Sequence, residues 1–182
     1  MLAGKQAHQV YLRTDTHWND YGAYIAYSAV IDALQPRYPN MQPHTLQDFD
    51  VHKRLWAGNL VYLLTMQSEV KEEITELAPL FEQKAQTVEG NDRRTLLFTS
   101  TDQTLPKALI FGDSFSFSTA FAPFLAEHFS RTYIRHYGYL EQSVEQYLQQ
   151  EKPDVVILEI VERNLIRLMK PLDEKGGEDT EL

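Results

Sequence analysis

The sequence predicts an α/β fold built on a mostly parallel sheet, and this prediction rests on two patterns in the C-terminal half. Three apolar runs, at 108–112, 132–137 and 154–160, have the length and composition of buried strands. Helical patterns at about 118–129 and 141–150 separate these runs. Such alternation is typical of parallel strands with helices on both faces of the sheet. In these sheets, active sites lie at the carboxyl ends of the strands.

The N-terminal half predicts one long helix and several extended segments. Asn19 or Asp20 caps a helix that follows apolar spacing to about Leu34 and ends at Pro36. The other predictions are a loop at 36–50, an extended segment at 49–55, a turn at 56–60 before a short helical patch, a solvated helix or loop at 69–77, and an antiparallel hairpin made of 80–88 and 93–100.

Length and charge indicate one domain, over residues 1–172, followed by an acidic tail at 173–182 that we predict to be disordered. The net charge of −9 and the absence of a basic run longer than Arg93-Arg94 argue against a nucleic-acid partner. The chain has no cysteine, which excludes disulfides and thiolate metal sites. No apolar run reaches the roughly 18 residues of a membrane span, and residues 1–5 do not resemble a signal peptide.

Ser114 is the strongest candidate for a nucleophile. It follows the predicted strand at 108–112 directly, in the sequence Gly112-Asp113-Ser114, and a helical pattern begins almost at once. A serine at a sharp strand-to-helix turn has an exposed hydroxyl, and its backbone N–H lies where developing negative charge is favoured.

Asp15 and His17 are the candidates for the groups that activate this serine. Residues two apart in extended backbone point the same way, so the Asp15 carboxylate can fix the imidazole tautomer and stabilise its protonated form. The structural alternative is that Asp15 is a turn or capping residue and that His17 is an ordinary surface side chain. The co-occurrence of both motifs with the alternating frame favours catalysis.

The candidates for an oxyanion hole are the backbone N–H groups of Ser114 and Gly58 and the side chain of Asn59. The second and third are included because Gly58-Asn59 precedes the short helical patch. The alternative is that Gly58 is only a turn glycine.

Three other sets of residues are given structural interpretations. Asp113 is predicted to cap the helix that follows it, with orientation of the serine turn as the alternative, and His128 and His136 are predicted to be structural. Glu162 and Arg163 are predicted to form a buried ion pair at the end of the last strand.

Metal binding is the competing use of Asp15 and His17. Asp20, His8 and His52 are the available additional ligands. None of these residues shows the i, i+4 spacing of a helical histidine pair, so we predict no metal site.

Three motifs in chain order carry a family resemblance: Thr-Asp-Thr-His-Trp-Asn from Thr14, Gly-Asp-Ser-Phe-Ser from Gly112, and Val-Glu-Arg-Asn from Val161. Over residues 9–169 the chain resembles the SGNH-hydrolase-like domains of alginate O-acetyltransferases, in the branch with the Asp-x-His-Trp signature. Common GDSL esterases place the serine first, whereas here the Asp-His pair comes first, as in the acetyltransferases. The segment at Gly58-Asn59 matches a stretch that is usually Gly-Asp-Leu in relatives.

The resemblance implies a three-layer SGNH-like sandwich with a triad of Ser114, His17 and Asp15 and no cofactor. It implies transfer of an acetyl group through an acyl-serine to hydroxyls of an exported polysaccharide, with a membrane-bound O-acyltransferase as acyl source and a periplasmic or membrane-associated location facing the periplasm. Relatives carry an upstream part before the Asp-x-His motif, so we expect an N-terminally truncated domain with an exposed sheet edge that allows a homodimer.

Two alternatives remain open at this point. A carbohydrate or lipid esterase would use the same three side chains and differ only in passing the acyl group to water. A non-catalytic polysaccharide-assembly module with a vestigial site is the alternative from another class.

Overall fold

The computed structural model describes residues 8–92, 94–117 and 120–168, which form six α-helices and seven strands. The helices are α1 (Asp20–Leu34), α2 (Asn59–Leu63), α3 (Ser114–Phe117), α4 (Phe121–Ala126), α5 (Leu140–Glu151) and α6 (Glu162–Leu168). The strands are β1 (Phe49–Trp56), β2 (Glu72–Pro79), β3 (Ala85–Asp92), β4 (Thr95–Ser100), β5 (Lys107–Gly112), β6 (Arg131–His136) and β7 (Val155–Leu158). The tail predicted at 173–182 lies outside the described residues. Within them, no helix is both long and apolar enough to cross a bilayer.

The main sheet is mixed, with strand order β3-β4-β6-β5-β7. Strand β5 lies between β6 and β7 and is parallel to both, whereas β4 runs antiparallel to β3 and to β6. The α/β prediction is confirmed, but the prediction of a mostly parallel sheet is wrong. The reason is the hairpin of β3 and β4: its short connection forces the two strands to reverse, and β4 then joins the parallel strands through β6.

Helices cover both faces of strand β5, which lies between β6 and β7. Ala108 and Ile110 belong to the larger core cluster, which includes buried side chains of α1 and α4 such as Tyr27 and Leu125. The alternate residues of β5 lie in a smaller cluster against Tyr147 and Val144 of α5. This alternation follows from the strand's two-residue side-chain period.

The long N-terminal helix was predicted correctly, and so was the antiparallel hairpin, although its first strand spans Ala85–Asp92 and not 80–88. Helix α1 begins after Asn19, whose side chain accepts a hydrogen bond from the Gly22 N–H at 3.1 Å. The single helix predicted at 118–129 is wrong in extent, because α3 already begins at Ser114 and a separate helix, α4, follows at Phe121. Pro123 has no N–H to donate to the carbonyl four residues earlier, which opposes one continuous helix through this segment.

The solvated helix or loop predicted at 69–77 is also wrong, since most of this segment is strand β2, paired antiparallel with β1 in a separate two-stranded sheet. Its charges form exposed diagonal ion pairs across the two strands. These join Lys53 to Glu73 at 2.7 Å and Arg54 to Glu76 at 2.6 Å. The glutamates made this segment look like a solvated helix or loop, because the cationic residues that pair with them lie about twenty residues earlier in the chain.

Candidate active site

Ser114 lies at the carboxyl end of β5, at the first position of α3. The strand before it is buried from Ala108 to Gly112, and Ser114 itself is exposed. Asp113 turns the chain between the two elements: its Oδ1 accepts the Phe115 N–H at 2.9 Å, which confirms the predicted capping role. A buried strand therefore delivers the serine hydroxyl to the surface at one end of the sheet.

Asp15 and His17 lie in a tight loop that reaches the same end of the sheet. Asp15 Oδ1 is 2.6 Å from His17 Nδ1, and His17 Nε2 is 2.9 Å from Ser114 Oγ. With the imidazole proton on Nδ1, His17 donates to the carboxylate and Nε2 accepts from the serine hydroxyl. The three side chains thus form one continuous hydrogen-bonded chain, closed across 97 residues of sequence.

The Asp15 carboxylate is held ionised in this arrangement. Burial acts to raise its pKa, but hydrogen bonds from the Asn59 N–H and from His17 outweigh burial, so the pKa of Asp15 lies below its usual value. The Asn59 N–H donates to Oδ2 at 2.7 Å and the His17 N–H donates to Oδ1 at 3.0 Å. A carboxylate that stays charged at neutral pH stabilises the imidazolium that forms whenever Nε2 takes a proton.

The Gly58-Asn59 segment holds the loop that carries Asp15. The Gly58 N–H donates to Thr14 Oγ1 at 3.0 Å, while the Asn59 side chain donates to Thr16 Oγ1 at 3.0 Å and accepts the Thr16 N–H at 3.1 Å. A Cβ on residue 58 would lie 2.3 Å from the Thr14 carbonyl oxygen and 2.6 Å from Asp15 Cβ. Only glycine fits this contact. The oxyanion-hole role of Gly58, Asn59 and Ser114 stays a prediction.

Glu72, at the start of β2, is a site residue that the sequence analysis missed. Its carboxylate accepts hydrogen bonds from the Arg13 N–H and from both the N–H and the hydroxyl of Thr14, at 2.5–3.0 Å. The Thr14 hydroxyl in turn accepts a hydrogen bond from the Gly58 N–H. The Glu72 carboxylate therefore anchors the loop that carries Asp15 to the two-stranded sheet. No local motif marks Glu72, because its partners lie 58 or 59 residues away.

A second missed residue, Glu159, follows β7 and lies beneath the turn at Ser114. Its Oε2 accepts hydrogen bonds from the Asp113 N–H at 3.2 Å and from the Ser116 hydroxyl at 2.7 Å. The predicted buried pair of Glu162 and Arg163 is wrong, since both residues are exposed at the start of α6. A carboxyl directly after an apolar strand was the available signal for Glu159.

The additional residues considered as metal ligands have other partners. His8 stacks on Tyr21 at 4.3 Å between ring centroids, the Asp20 carboxylate accepts the Leu77 N–H at 2.9 Å, and His52 pairs with Asp50 at 3.2 Å. In the part of the chain that the structure describes, no three His, Cys, Asp or Glu residues converge in a group that suits a metal ion.

The fold described above is that of an SGNH hydrolase-like domain. Residues 1–162 match the family model of the SGNH hydrolase-like domain of acetyltransferase AlgX. The chain therefore belongs to this AlgX family of acetyltransferase domains, as the motifs had predicted. It has no significant match among curated proteins.

Several solved structures share the fold. A DHHW family protein from Eubacterium siraeum aligns with a TM-score of 0.67 at 16% identity, over 87% of this chain and 61% of its own. PatB1 from Bacillus cereus, solved with a sulfonyl adduct, aligns with a TM-score of 0.69 at 18% identity, over 88% and 63%. The O-acetyltransferase domain of AlgJ from Pseudomonas putida aligns with a TM-score of 0.51 at 20% identity, over 97% and 60%. The chain spans about three fifths of the length of each of these proteins.

Proposed function

We propose that this protein is a serine-dependent O-acetyltransferase in which Ser114, His17 and Asp15 act as a catalytic triad. The single observation that carries the proposal is the unbroken chain of hydrogen bonds from the Asp15 carboxylate through the imidazole to the Ser114 hydroxyl. These contacts supply a nucleophile, a base and an orienting carboxylate in the arrangement that acyl transfer requires. Membership of an acetyltransferase family supports the acetyl group as the acyl unit.

In the first half-reaction, Ser114 Oγ attacks the carbonyl carbon of an acetyl ester while its proton passes to His17 Nε2. The bond to the donor's alcohol oxygen then breaks, and the alcohol leaves with that proton, so that acetyl-Ser114 remains. In the second half-reaction, a sugar hydroxyl gives its proton to His17 as its oxygen attacks the acetyl carbon. Ser114 recovers a proton from the imidazolium as it leaves, and the enzyme is regenerated.

Charge on the carbonyl oxygen must be stabilised in both half-reactions. The proposed donors are the N–H groups of Ser114 and Gly58 and the Asn59 side chain. We place the Ser114 N–H first, because it belongs to the residue that carries the attacking oxygen, as in the chymotrypsin type of oxyanion hole. Gly58 and Asn59 already donate to Thr14 and Thr16, so a direct role would require those bonds to open.

The acceptor we propose is a hydroxyl of an exported polysaccharide, with a membrane-bound O-acyltransferase as acyl source and a location in the periplasm or on the membrane facing it. The support is family membership and the name of one structural neighbour, an O-acetyltransferase domain. The proposed chemistry uses protein groups and needs no cofactor.

The test is incubation with p-nitrophenyl acetate, followed by intact mass measurement for acetyl-Ser114. Ser114→Ala should lose about 10³-fold or more of the turnover, since triad members act as a unit. Ser68→Ala, an exposed serine on a loop, is the control. Unchanged turnover in the Ser114 variant would exclude the triad.

Transfer is separated from hydrolysis by adding uronic-acid or neutral oligosaccharides with the acetyl donor. Acetylated sugar, detected by mass spectrometry, is the expected product. Free acetate with every acceptor would indicate an esterase, and a folded protein with neither acyl-enzyme nor acetate would indicate a non-catalytic module.

A further inference from the structure

Two carboxyl groups meet beneath the turn that carries Ser114, and the proposed reaction uses neither. One is Asp113, which is 2% exposed. Its carboxylate accepts hydrogen bonds from the N–H groups of Phe115 at 2.9 Å and Val161 at 2.7 Å, and from the Asn164 side chain at 3.3 Å. Three donors are directed at this one carboxylate. Asp113 thus ties the turn to the segment that connects β7 to α6.

The other carboxyl group is that of Glu159, which accepts hydrogen bonds from the same turn. Its Oε2 accepts from the Asp113 N–H and from the Ser116 hydroxyl, so it holds one residue before Ser114 and one residue after it. A Cβ on Gly112 would lie 2.2 Å from Ser116 Oγ and 3.3 Å from this Oε2. The absence of a side chain at Gly112 therefore leaves room for the Ser116 hydroxyl and the Glu159 carboxyl group to meet.

Glu159 lies directly against Asp113, since its Oε2 is 3.2 Å from the Asp113 backbone nitrogen. Two adjacent buried carboxylates repel, so one of the pair retains its proton to higher pH than usual. Burial and the charge of Asp113 raise the pKa of Glu159 to about 7. Glu159 is the proton-bearing partner, since Asp113 is already satisfied as an acceptor.

We propose that protonated Glu159 is a positioning residue for Ser114: it holds the strand-to-helix turn in place, and loss of its proton loosens that turn. This inference rests on the proposed role of Ser114 as nucleophile. The groups that face Glu159 are the Asp113 carboxylate from the turn, the Ser116 hydroxyl from α3 and the backbone of Gly112 at the end of β5. From α6, Asn164 reaches Asp113, and the Arg163 guanidinium lies over the Phe115 ring at 5.7 Å.

The experiment measures the rate at which phenylmethanesulfonyl fluoride modifies Ser114, by intact mass, between about pH 5.5 and about pH 9. In this step the serine oxygen bonds to sulfur, the sulfur–fluorine bond breaks, and the serine proton passes to His17. Glu159→Gln is the informative variant, because its amide stays neutral and its oxygen can accept from the Ser116 hydroxyl and the Asp113 N–H at every pH. Dividing the wild-type rate by the variant rate cancels the dependence on His17 that both proteins share.

This ratio should be near one at the acidic end and fall about tenfold or more as the pH rises through 7, since small misplacements of a reacting group are costly. Glu162→Gln, which changes an exposed carboxylate three residues later at the start of α6, is the matched control and should give a ratio that does not change with pH. Glu159→Ala should react slowly at every pH, and recovery by the glutamine variant separates positioning from mere loss of packing.

The outcomes distinguish this inference from the proposed function. A wild type that is labelled, with a ratio to Glu159→Gln that is independent of pH, overturns the role of Glu159 alone. A wild type that is not labelled at any pH overturns Ser114 as nucleophile and this inference with it. Infrared difference spectra between wild type and Glu159→Gln should contain a protonated carboxyl band that disappears near neutral pH. Absence of this band overturns the proposed protonation whatever the activity.

Discussion

At the scale of single residues, the chain contains the pattern Asp-x-His twice, and burial distinguishes the two copies. Asp15 and His17 have side chains that are 5% and 14% exposed, and Asp50 and His52 have side chains that are both 57% exposed. The ring of His17 also packs 4.9 Å from that of Phe115, next to the nucleophile candidate. The spacing alone does not separate the copies, whereas the contacts do.

This duplication gives a matched test of the base. His17→Ala should lower the rate of Ser114 acetylation by p-nitrophenyl acetate about 10³-fold or more, because the serine then has no proton acceptor. His52→Ala removes the same side chain from the same sequence pattern and should leave the rate unchanged. Equal rates for the two variants would contradict the role of His17.

Ser114, Asp15 and His17 could be grouped from the sequence because each lies in a short motif with a local geometric meaning. The structure places the His17 side chain within hydrogen-bonding distance of those of Asp15 and Ser114. A serine after an apolar strand and a carboxylate two residues before an imidazole can be recognised without knowing the fold. Glu159 has a weaker signal, its position directly after an apolar strand, but its role could not be recognised because its partner Asp113 lies 46 residues away. Residues that support a site depend on tertiary contacts that leave no local pattern.

At the scale of elements, strand β2 does more than pair with β1, since its first residue anchors the loop that carries Asp15. Burial acts to raise the pKa of Glu72, but hydrogen bonds from Thr14 and Arg13 prevail and lower it. The carboxylate is thus ionised at neutral pH and fully able to accept. A charge-rich segment with no predicted function therefore shapes the candidate active site.

Glu72→Ala should lower both the free energy of unfolding and the rate of Ser114 acetylation. We expect a loss of about 1–3 kcal/mol in the free energy of unfolding, because the two partly buried donors of Thr14 and the Arg13 N–H lose their acceptor at once. Urea denaturation and the acetylation assay measure the two effects. Glu73→Ala, which removes an exposed ion pair with Lys53 one residue later, should change stability by less than about 1 kcal/mol. Identical stability of the two variants would exclude the anchoring role.

Prediction of the elements succeeded where the side-chain pattern has one interpretation. Helix α1 has a cap, a regular apolar spacing and a proline after its end. Strand β2 failed because its alternation is masked by glutamates whose partners lie on β1. The parallel strands β5, β6 and β7 were found, but the pairing of β4 with β6 depends on which sheet edge the hairpin joins, and no local pattern encodes that choice.

At the scale of the whole molecule, the raised pKa of Glu159 links stability to pH. Between its ordinary value of 4.5 and its folded value of about 7, the folded chain retains a proton that the unfolded chain has released. Stability from this group is therefore fully present below about pH 4.5 and is lost as the pH rises towards 7. Asp15 and Glu72 have lowered pKa values, so the stability that these two groups contribute is present at neutral pH and is lost as the pH falls into the acidic range.

Wild type should therefore lose on the order of 3 kcal/mol more stability than Glu159→Gln between about pH 4.5 and about pH 8. Urea denaturation of both proteins at the two pH values measures this, and effects of other titrating groups cancel in the difference. Glu162→Gln should follow the wild type. A stability difference between wild type and Glu159→Gln that is the same at both pH values would contradict the protonation assigned to Glu159.

The sequence separation of 97 positions between His17 and Ser114 also sets the time during synthesis at which the candidate active site can form. During synthesis the imidazole and its carboxylate emerge first, followed by Asn59 and Glu72, and the serine emerges only after most of the two sheets. Contacts of such long sequence separation form late, because the loop between them must close. A growing chain that ends before β5 thus carries a base without a nucleophile. A serine-directed label that reacts with Ser114 therefore marks the moment at which the early and late segments of the chain have met.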